Sequence, residues 1–270
     1  MVNVIKATGE KEPFSDNKII SSIKRAGIPE NLWDMVLSHV KEKLYENIPT
    51  SEVYKHITEF LEKQPKKFKD KYGLKQAIMN LGPTGYPFED YVAEILKIKG
   101  YKTTLRQILQ GKCVSHEIDV IASKANTEKL MIEAKFHNTS GSRTDVHVSL
   151  YTKARFDDLK DRHGFDRAWI FTNTKITSDA LTYALCINMG VISWSYPEHD
   201  SLRDLVEGNK LYPVTILSTL SQVQKQILLE SHVILVKDIC KNKNVLDILR
   251  LQKEKNLEIL EEAGLICNLS

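Results

Sequence analysis

Ser115-His116-Glu117-Ile118-Asp119-Val120-Ile121-Ala122 and Leu130-Met131-Ile132-Glu133-Ala134-Lys135-Phe136 decide the fold. Both read as short strands, apolar and bounded by polar segments. Successive strand side chains alternate between faces, so Glu133 and Lys135 point the same way. Both interrupt an apolar run, and Asp119 likewise sits among Ile118, Val120 and Ile121. Charges placed this way cost free energy unless they pair or hold an ion. Two carboxylates from adjacent strands suit a hard cation, Mg2+ or Mn2+, which polarises a phosphate and acidifies a bound water. A lysine beside them orients that water and offsets charge developing on the phosphate. On spacing alone, E-x-K in a strand is common, and a Glu–Lys pair on the solvated face of a hairpin is the commoner reading.

Outward from these strands, a helix is predicted over Phe88–Lys99 and a strand near Tyr101–Thr104. A helix follows over Val146–Leu159, then a strand (Ala168–Thr172), a helix (Ser178–Asn188) and a strand (Val191–Trp194). Strands alternating with helices imply a mixed α/β sheet. Ahead of them, Leu81-Gly82-Pro83-Thr84-Gly85-Tyr86-Pro87 forms the best boundary in the chain. Before that boundary the sequence predicts a strand at Val2–Lys6 and a turn at Gly9. Ser15 then caps a helix with Ile19, Ile20, Ile23 and Ala26 at helical spacing, and Gly27 ends it. Pro29 opens a second helix and Thr50 caps a third; Lys66–Leu81 reads as a fourth. From Ser201 the chain turns helical, with helices expected over Leu217–Leu229 and Val245–Leu265.

The region from Pro83 to Pro197 resembles the nuclease domain of Mrr-type restriction endonucleases and archaeal Holliday-junction resolvases, within the PD-(D/E)XK class. The resemblance rests on order: Gly85-Tyr86-Pro87-Phe88-Glu89 on a helix, Glu117-Ile118-Asp119, then Glu133-Ala134-Lys135. A helix follows, then Trp169-Ile170-Phe171-Thr172-Asn173-Thr174 and the closing Gly190-Val191-Ile192-Ser193-Trp194. The resemblance implies that Asp119, Glu133 and Glu89 are metal ligands and that Lys135 is the catalytic lysine, acting on DNA. Many Mrr-type proteins carry Gln where Glu133 stands, and Ile118 replaces the usual Pro. Glu117 reads equally as an extra ligand or as a solvent-facing strand end. His137 and Asn138 are candidates for the phosphate or metal shell, although a loop His is more often exposed. Tyr151 and Arg155 share a helix face; either meets DNA or, more commonly, forms a packing edge with an ion pair to Asp158.

Residues 1–82 resemble the ATP cone of ribonucleotide reductases and their repressors. Val4-Ile5-Lys6, Gly9, Glu12-Pro13-Phe14-Ser15-Asp16-Asn17-Lys18-Ile19 and Ile48-Pro49-Thr50-Ser51-Glu52-Val53 carry the match. Lys6 and Lys18 would then contact the phosphates of ATP or dATP, and Glu12 and Thr50 would fix the nucleotide. Ala7-Thr8 depart from the family's pattern, which places a basic residue and an Asp or Asn there.

Composition bounds the alternatives. A 270-residue chain with 42% hydrophobic and 27% charged residues suits two or three globular domains. A net charge of +3 is far from that of an architectural DNA binder, so a polyanion needs a local patch or a metal. Cys113, Cys186, Cys240 and Cys267 are scattered, which predicts neither zinc nor disulfides. No apolar run of roughly 18 residues is present, so a cytoplasmic protein without a membrane partner is expected.

The combined expectation is an ATP-cone-like domain (1–82), a PD-(D/E)XK nuclease domain (83–200) and a helical C-terminal segment (201–270). The fold is mixed α/β: a helical cone, a central restriction-endonuclease-like sheet flanked by helices, and C-terminal helices. The function is a Mg2+- or Mn2+-dependent DNA endonuclease, restriction-like and regulated by ATP or dATP, in a homo-oligomer. The rivals are a nucleotide-responsive DNA-binding regulator with an inactive nuclease fold, and a Holliday-junction or repair nuclease.

Overall fold

The structure, a computed structural model, describes residues 2–6, 9–64, 66–125, 127–139 and 141–268. Ala7 and Thr8 lie outside the described residues, as do the side chains of Lys66, Lys67 and Lys71 in the charge run. The chain forms two compact units, residues 1–76 with 268–270 and residues 77–267.

The first unit contains β1 (Asn3–Ile5), β2 (Lys11–Pro13), α1 (Asp16–Arg25), α2 (Trp33–Lys41), β3 (Ile48–Pro49), α3 (Thr50–Glu62) and most of α4 (Lys66–Met79). β1 and β2 make an antiparallel hairpin that sets Val4 opposite Glu12, and β3 adds parallel to β1. Apolar residues four apart on each helix supply the core: Ile19 and Ile23, Val36 and Val40, then Val53, Ile57 and Leu61. Ser15 stands at the N-cap of α1 without a side-chain cap bond, and Asp16 supplies the favourable first-turn charge instead. Gly27 takes the left-handed conformation (φ 68°) that closes α1. Thr50 was expected as a cap; it is the first helical residue of α3, behind Pro49.

The second unit begins with α5 (Tyr86–Ile98), β4 (Lys102–Gln110), β5 (Ser115–Lys124), β6 (Glu128–Lys135) and β7 (Arg143–Thr144). It continues through α6 (Val146–His163), β8 (Arg167–Thr172), β9 (Lys175–Ile176), α7 (Ser178–Cys186) and β10 (Gly190–Ile192). The main sheet runs β10-β8-β6-β5-β4. β4, β5 and β6 pair antiparallel, while β6, β8 and β10 are parallel, joined through α6 and α7. Ile121 and Met131, opposite each other in register, pack with Leu159 of α6 and Ala184 of α7. Burying a side chain the size of Ile121, Met131 or Leu159 contributes about 1.5–3 kcal/mol. Gly190 lies beside Trp169 in this ladder, and a Cβ there would fall 2.3 Å from the indole.

The same unit ends in α8 (Leu202–Gly208), α9 (Gln222–Glu230), α10 (Val236–Lys241) and α11 (Lys253–Cys267). The two long C-terminal helices expected from sequence are shorter than their apolar patterns. Val214–Ile216 and Lys243–Leu249 are 3-10 turns, and Arg250 adopts a left-handed φ of 48° ahead of α11. The cysteine expectation is also corrected, because Cys240 and Cys267 form a disulfide between α10 and α11. Their 27-residue separation belongs to no motif, so only the packing of the two helices reveals it. Glu262, 1% exposed, is satisfied by the backbone N–H and hydroxyl groups of Ser218 and Thr219. Among the described residues no helix is long and apolar enough to cross a membrane.

Candidate active site

The β5–β6 ladder stops at Val120↔Ile132. Just beyond, the Asp119 carboxylate accepts the Ala134 backbone N–H at 2.7 Å. A side chain thus takes an amide that a continuing ladder would pair, and the strands part where the charged residues begin. The β4–β5 register skips Arg106 between Leu105↔Val120 and Gln107↔Ile118. Arg106 has φ 51°, uncommon for a residue with a Cβ. From that kink its guanidinium reaches Glu89 at 3.1 Å and Asp90 at 2.8 Å, both on α5. Asp90 also meets His232 at 2.7 Å, a contact spanning 142 residues of sequence.

On β6, Glu133 meets the Arg155 guanidinium at 2.5 Å. Arg155 lies one turn before Leu159 on α6 and is 6% exposed, with its ring-side neighbour Tyr151 5.2 Å away. The expected Arg155–Asp158 pair is therefore corrected: Asp158 bonds His116 at 2.9 Å and the Cys113 and Val114 amides. The helix is rotated so that Arg155 faces the sheet. Lys135, the alternate residue beyond Glu133, makes no ion pair among the described residues, and its charge acts on both Asp119 and Glu133. Glu117 is exposed beside Asp119, whose ionisation it opposes. His137 is half-buried and bonds Thr144 at 3.1 Å, itself bonded to Thr172.

The electrostatics form one system. Burial first, then repulsion from Asp119, pushes Glu89 up to about 7 against the pull of Arg106. Burial and the same repulsion raise Glu133, opposed by Arg155 and Lys135. Burial raises Asp119 as well, opposed by the Ala134 amide. All three carboxylates are thus pushed toward the protonated form, because nearby positive charge does not offset burial and mutual repulsion. That donor set, all oxygen, fits a hard divalent cation, which would relieve the repulsion. Among the described residues no three His, Cys, Asp or Glu groups are already gathered as a metal shell. Glu89 and Glu133 are instead engaged by Arg106 and Arg155.

Sequence reasoning missed Arg106, Arg155 as a partner of Glu133, and Asn173. The Asn173 side chain accepts the His137 N–H at 2.9 Å and donates to the His137 carbonyl at 2.7 Å, fixing the exit of β6. Its signal was present in the Thr172-Asn173-Thr174 block, where a fully buried amide must find backbone partners.

In the first unit, Glu12 bonds both Lys6 at 2.9 Å and Lys18 at 2.6 Å. The two lysines keep Glu12 below its ordinary range, and Glu12 with Glu10 raises Lys6. Thr50 opens α3, whose preceding strand β3 pairs with β1 just before Lys6.

Family models match three segments: an ATP cone domain over residues 2–71, a restriction endonuclease domain over 83–198, and the AF1548-like C-terminal domain over 212–267. An uncharacterized protein of Archaeoglobus fulgidus is 37% identical over 172 residues, which is 64% of this chain and 97% of the relative. A solved structure, described as the protein of unknown function AF1548, is 35% identical with a TM-score of 0.61, covering 69% of this chain and all of that one. A repair endonuclease from Pyrococcus abyssi is 16% identical with a TM-score of 0.30, covering 37% of this chain and 41% of that one.

Proposed function

This chain belongs to the AF1548-like family, and we propose that it is a metal-dependent DNA endonuclease whose activity responds to ATP or dATP held by its N-terminal cone. The observation that carries the proposal is the placement of buried Asp119 where β5 and β6 part, close enough to repel both Glu89 and Glu133, with Lys135 attracting Asp119 and Glu133. In this reading residues 1–82 are the cone, 83–200 the nuclease and 201–270 a helical segment that supports it. Glu89, Asp119 and Glu133 would hold Mg2+ or Mn2+, which when bound polarises the phosphate and makes water a nucleophile.

The chain's own groups do the rest. Asp119 is oriented by the Ala134 amide. Lys135 orients the attacking water and offsets charge developing on the phosphate oxygens. Arg106 and Arg155 hold Glu89 and Glu133 in place until a cation competes for them. Asn173 and the Thr144–Thr172 pair fix the backbone that follows Lys135. In the cone, Lys6 and Lys18 would pass from Glu12 to the phosphates, and Thr50 would meet the nucleotide from the start of α3. A protein that works in the cytoplasm as a homo-oligomer completes the reading.

The Arg155–Glu133 pair favours one rival, a nucleotide-responsive DNA-binding regulator with an inactive core, because a guanidinium already neutralises one of the three carboxylates. One assay separates them. Plasmid is incubated with the full chain and Mg2+, with and without ATP or dATP. Nicking or linearisation that requires the cation supports the nuclease; retention of DNA on a gel without any cut supports the regulator.

A further inference from the structure

Beside the carboxylates lies a cleft of about 430 Å³, within the range of small-molecule sites. One wall comes from the start of α5 and from Arg106; the other comes from α9 and His232. No role assigned so far uses it. The second wall is fixed: His232 adopts a left-handed φ of 58° and bonds the buried Asp90, which in turn holds Arg106. The cleft is therefore built in advance of any ligand, and it opens on the residues that flank Glu89.

Its lining is specific. Tyr86 is 56% exposed, three residues before Glu89, with the Arg106 guanidinium 5.6 Å from its ring centre. An exposed aromatic backed by a guanidinium is a platform for a flat π-system. Leu229, 2% exposed, gives an apolar floor. Gln226 donates to Glu230 at 2.9 Å, which leaves the second Glu230 oxygen and the Gln226 carbonyl as acceptors at the rim. Asp90, Glu117 and Glu230 outnumber Arg106, whose charge is already divided between Glu89 and Asp90. A phosphate is repelled from such a lining, whereas a neutral base that donates hydrogen bonds is not.

We infer that this cleft receives one unstacked nucleobase of the strand being cut, a base bearing an exocyclic amino group, with its phosphate left outside toward the carboxylates. The inference rests on the nuclease reading and supplies its substrate feature: an unpaired or extruded nucleotide next to the scissile phosphate. Cytosine, adenine and guanine present amino donors to carboxylate acceptors, and thymine does not. Enzymes that read a base outside the helix stack and hydrogen-bond it in this manner.

The test uses the full chain without added metal and duplexes carrying one unpaired 2-aminopurine, whose fluorescence falls on stacking. Binding should quench it. Unlabelled duplexes with one unpaired cytosine, adenine or guanine should compete about tenfold better than the same duplexes with thymine or an abasic site. Tyr86→Ala should erase that tenfold preference without changing affinity for fully paired duplex, and Tyr86→Phe should retain it. No preference for a base over an abasic site overturns the inference, as does an equal loss for paired and unpaired duplex in Tyr86→Ala. Base preference in a protein that never cuts plasmid removes the nuclease reading and leaves the cleft assigned. Cation-dependent cutting without base preference removes the cleft alone, and absence of any DNA binding removes both.

Discussion

The two clusters of charge in this molecule are built on opposite principles. In the first unit, Lys6, Glu12 and Lys18 are near solvent, with opposite signs in contact, and Lys6 and Glu12 are each held in the charged form. In the second, Glu89, Asp119 and Glu133 share a desolvated space with like charge prevailing, and each is pushed toward its neutral form. An exposed, self-neutralised cluster costs little to maintain and exchanges partners readily, which suits reversible capture of a polyanion. A buried cluster with surplus negative charge is held at a cost by the surrounding fold, and strongly perturbed carboxylates of that kind mark sites of chemistry.

The contrast breaks most decisively at Lys135 and Asp119. Lys135→Ala should reduce cleavage by at least about 100-fold while leaving DNA affinity near wild type. Asp119→Ala should do the same to cleavage by removing a proposed metal ligand. Quenched-flow or gel assays of plasmid cutting check this, and wild-type rates in both variants would mean that the buried cluster is not where chemistry occurs.

Arg155→Met tests how much the buried cluster depends on its guanidinium. Glu133 would lose its contact at 2.5 Å and remain within a largely buried setting. Removing one partner of a buried pair costs about 3–5 kcal/mol, which urea unfolding would register. Mg2+ should return part of that loss by supplying a new cation. A loss below about 1 kcal/mol would put this pair in the same screened class as surface pairs.

Much of this site could be read from the sequence, for a local reason. Strand alternation alone sets Glu133 and Lys135 on one face, and the apolar neighbours of Asp119 announce its burial. What stayed hidden depends on distant chain segments or on a single torsion. Arg106 looks like any strand arginine until its positive φ is known, because its partners Glu89 and Asp90 lie on another element, 17 and 16 residues back. The rotation of α6 that gives Arg155 to Glu133 and Asp158 to His116 cannot be read from the i, i+3 spacing, which would equally pair Arg155 with Asp158. The Asp90–His232 contact and the Cys240–Cys267 bridge close loops that no periodicity encodes. The first C-terminal helix is overextended because Leu217 and Leu220 are buried ahead of the Ser221 cap without being helical, and the second because its apolar run continues through the 3-10 turn at Lys243–Leu249.

A pH series sharpens the contrast further. Glu89 titrates near 7 in the folded protein against an ordinary 4.5, so the folded state binds the extra proton between those values. Its contribution is present below about 4.5 and lost as pH rises through about 7, on the order of 3 kcal/mol. Glu262 has the reverse sign: held near 2 by Ser218 and Thr219, it contributes above about 4.5, and the contribution is lost as pH falls through about 2. Metal-free stability of the second unit should therefore peak near pH 4.5–5. Mg2+ should flatten the alkaline limb, and Glu89→Gln should remove much of it. A flat metal-free profile from pH 5 to 8 would show that the carboxylates do not repel one another as described.

The smallest effects belong to the cone. Lys6 and Lys18 are 35% and 61% exposed, so each contact with a triphosphate is screened by solvent and salt. Lys6→Ala and Lys18→Ala should each weaken ATP or dATP binding by only about fivefold in calorimetry, and more at low ionic strength than at high. Glu12 bonds both lysines, so the nucleotide must displace a carboxylate before it gains them, which keeps binding reversible. The chain offers no lysine–Ser/Thr phosphate loop to activate a γ-phosphate, so the nucleotide should be recovered unhydrolysed. Coupling to cleavage requires that the nucleotide prefer one state of the protein over another. Sizing columns and plasmid assays with and without nucleotide should then differ in assembly or in rate. Binding that alters neither, or no binding at millimolar nucleotide, would reduce the cone to a structural domain and leave the buried cluster as the molecule's one functional charge centre.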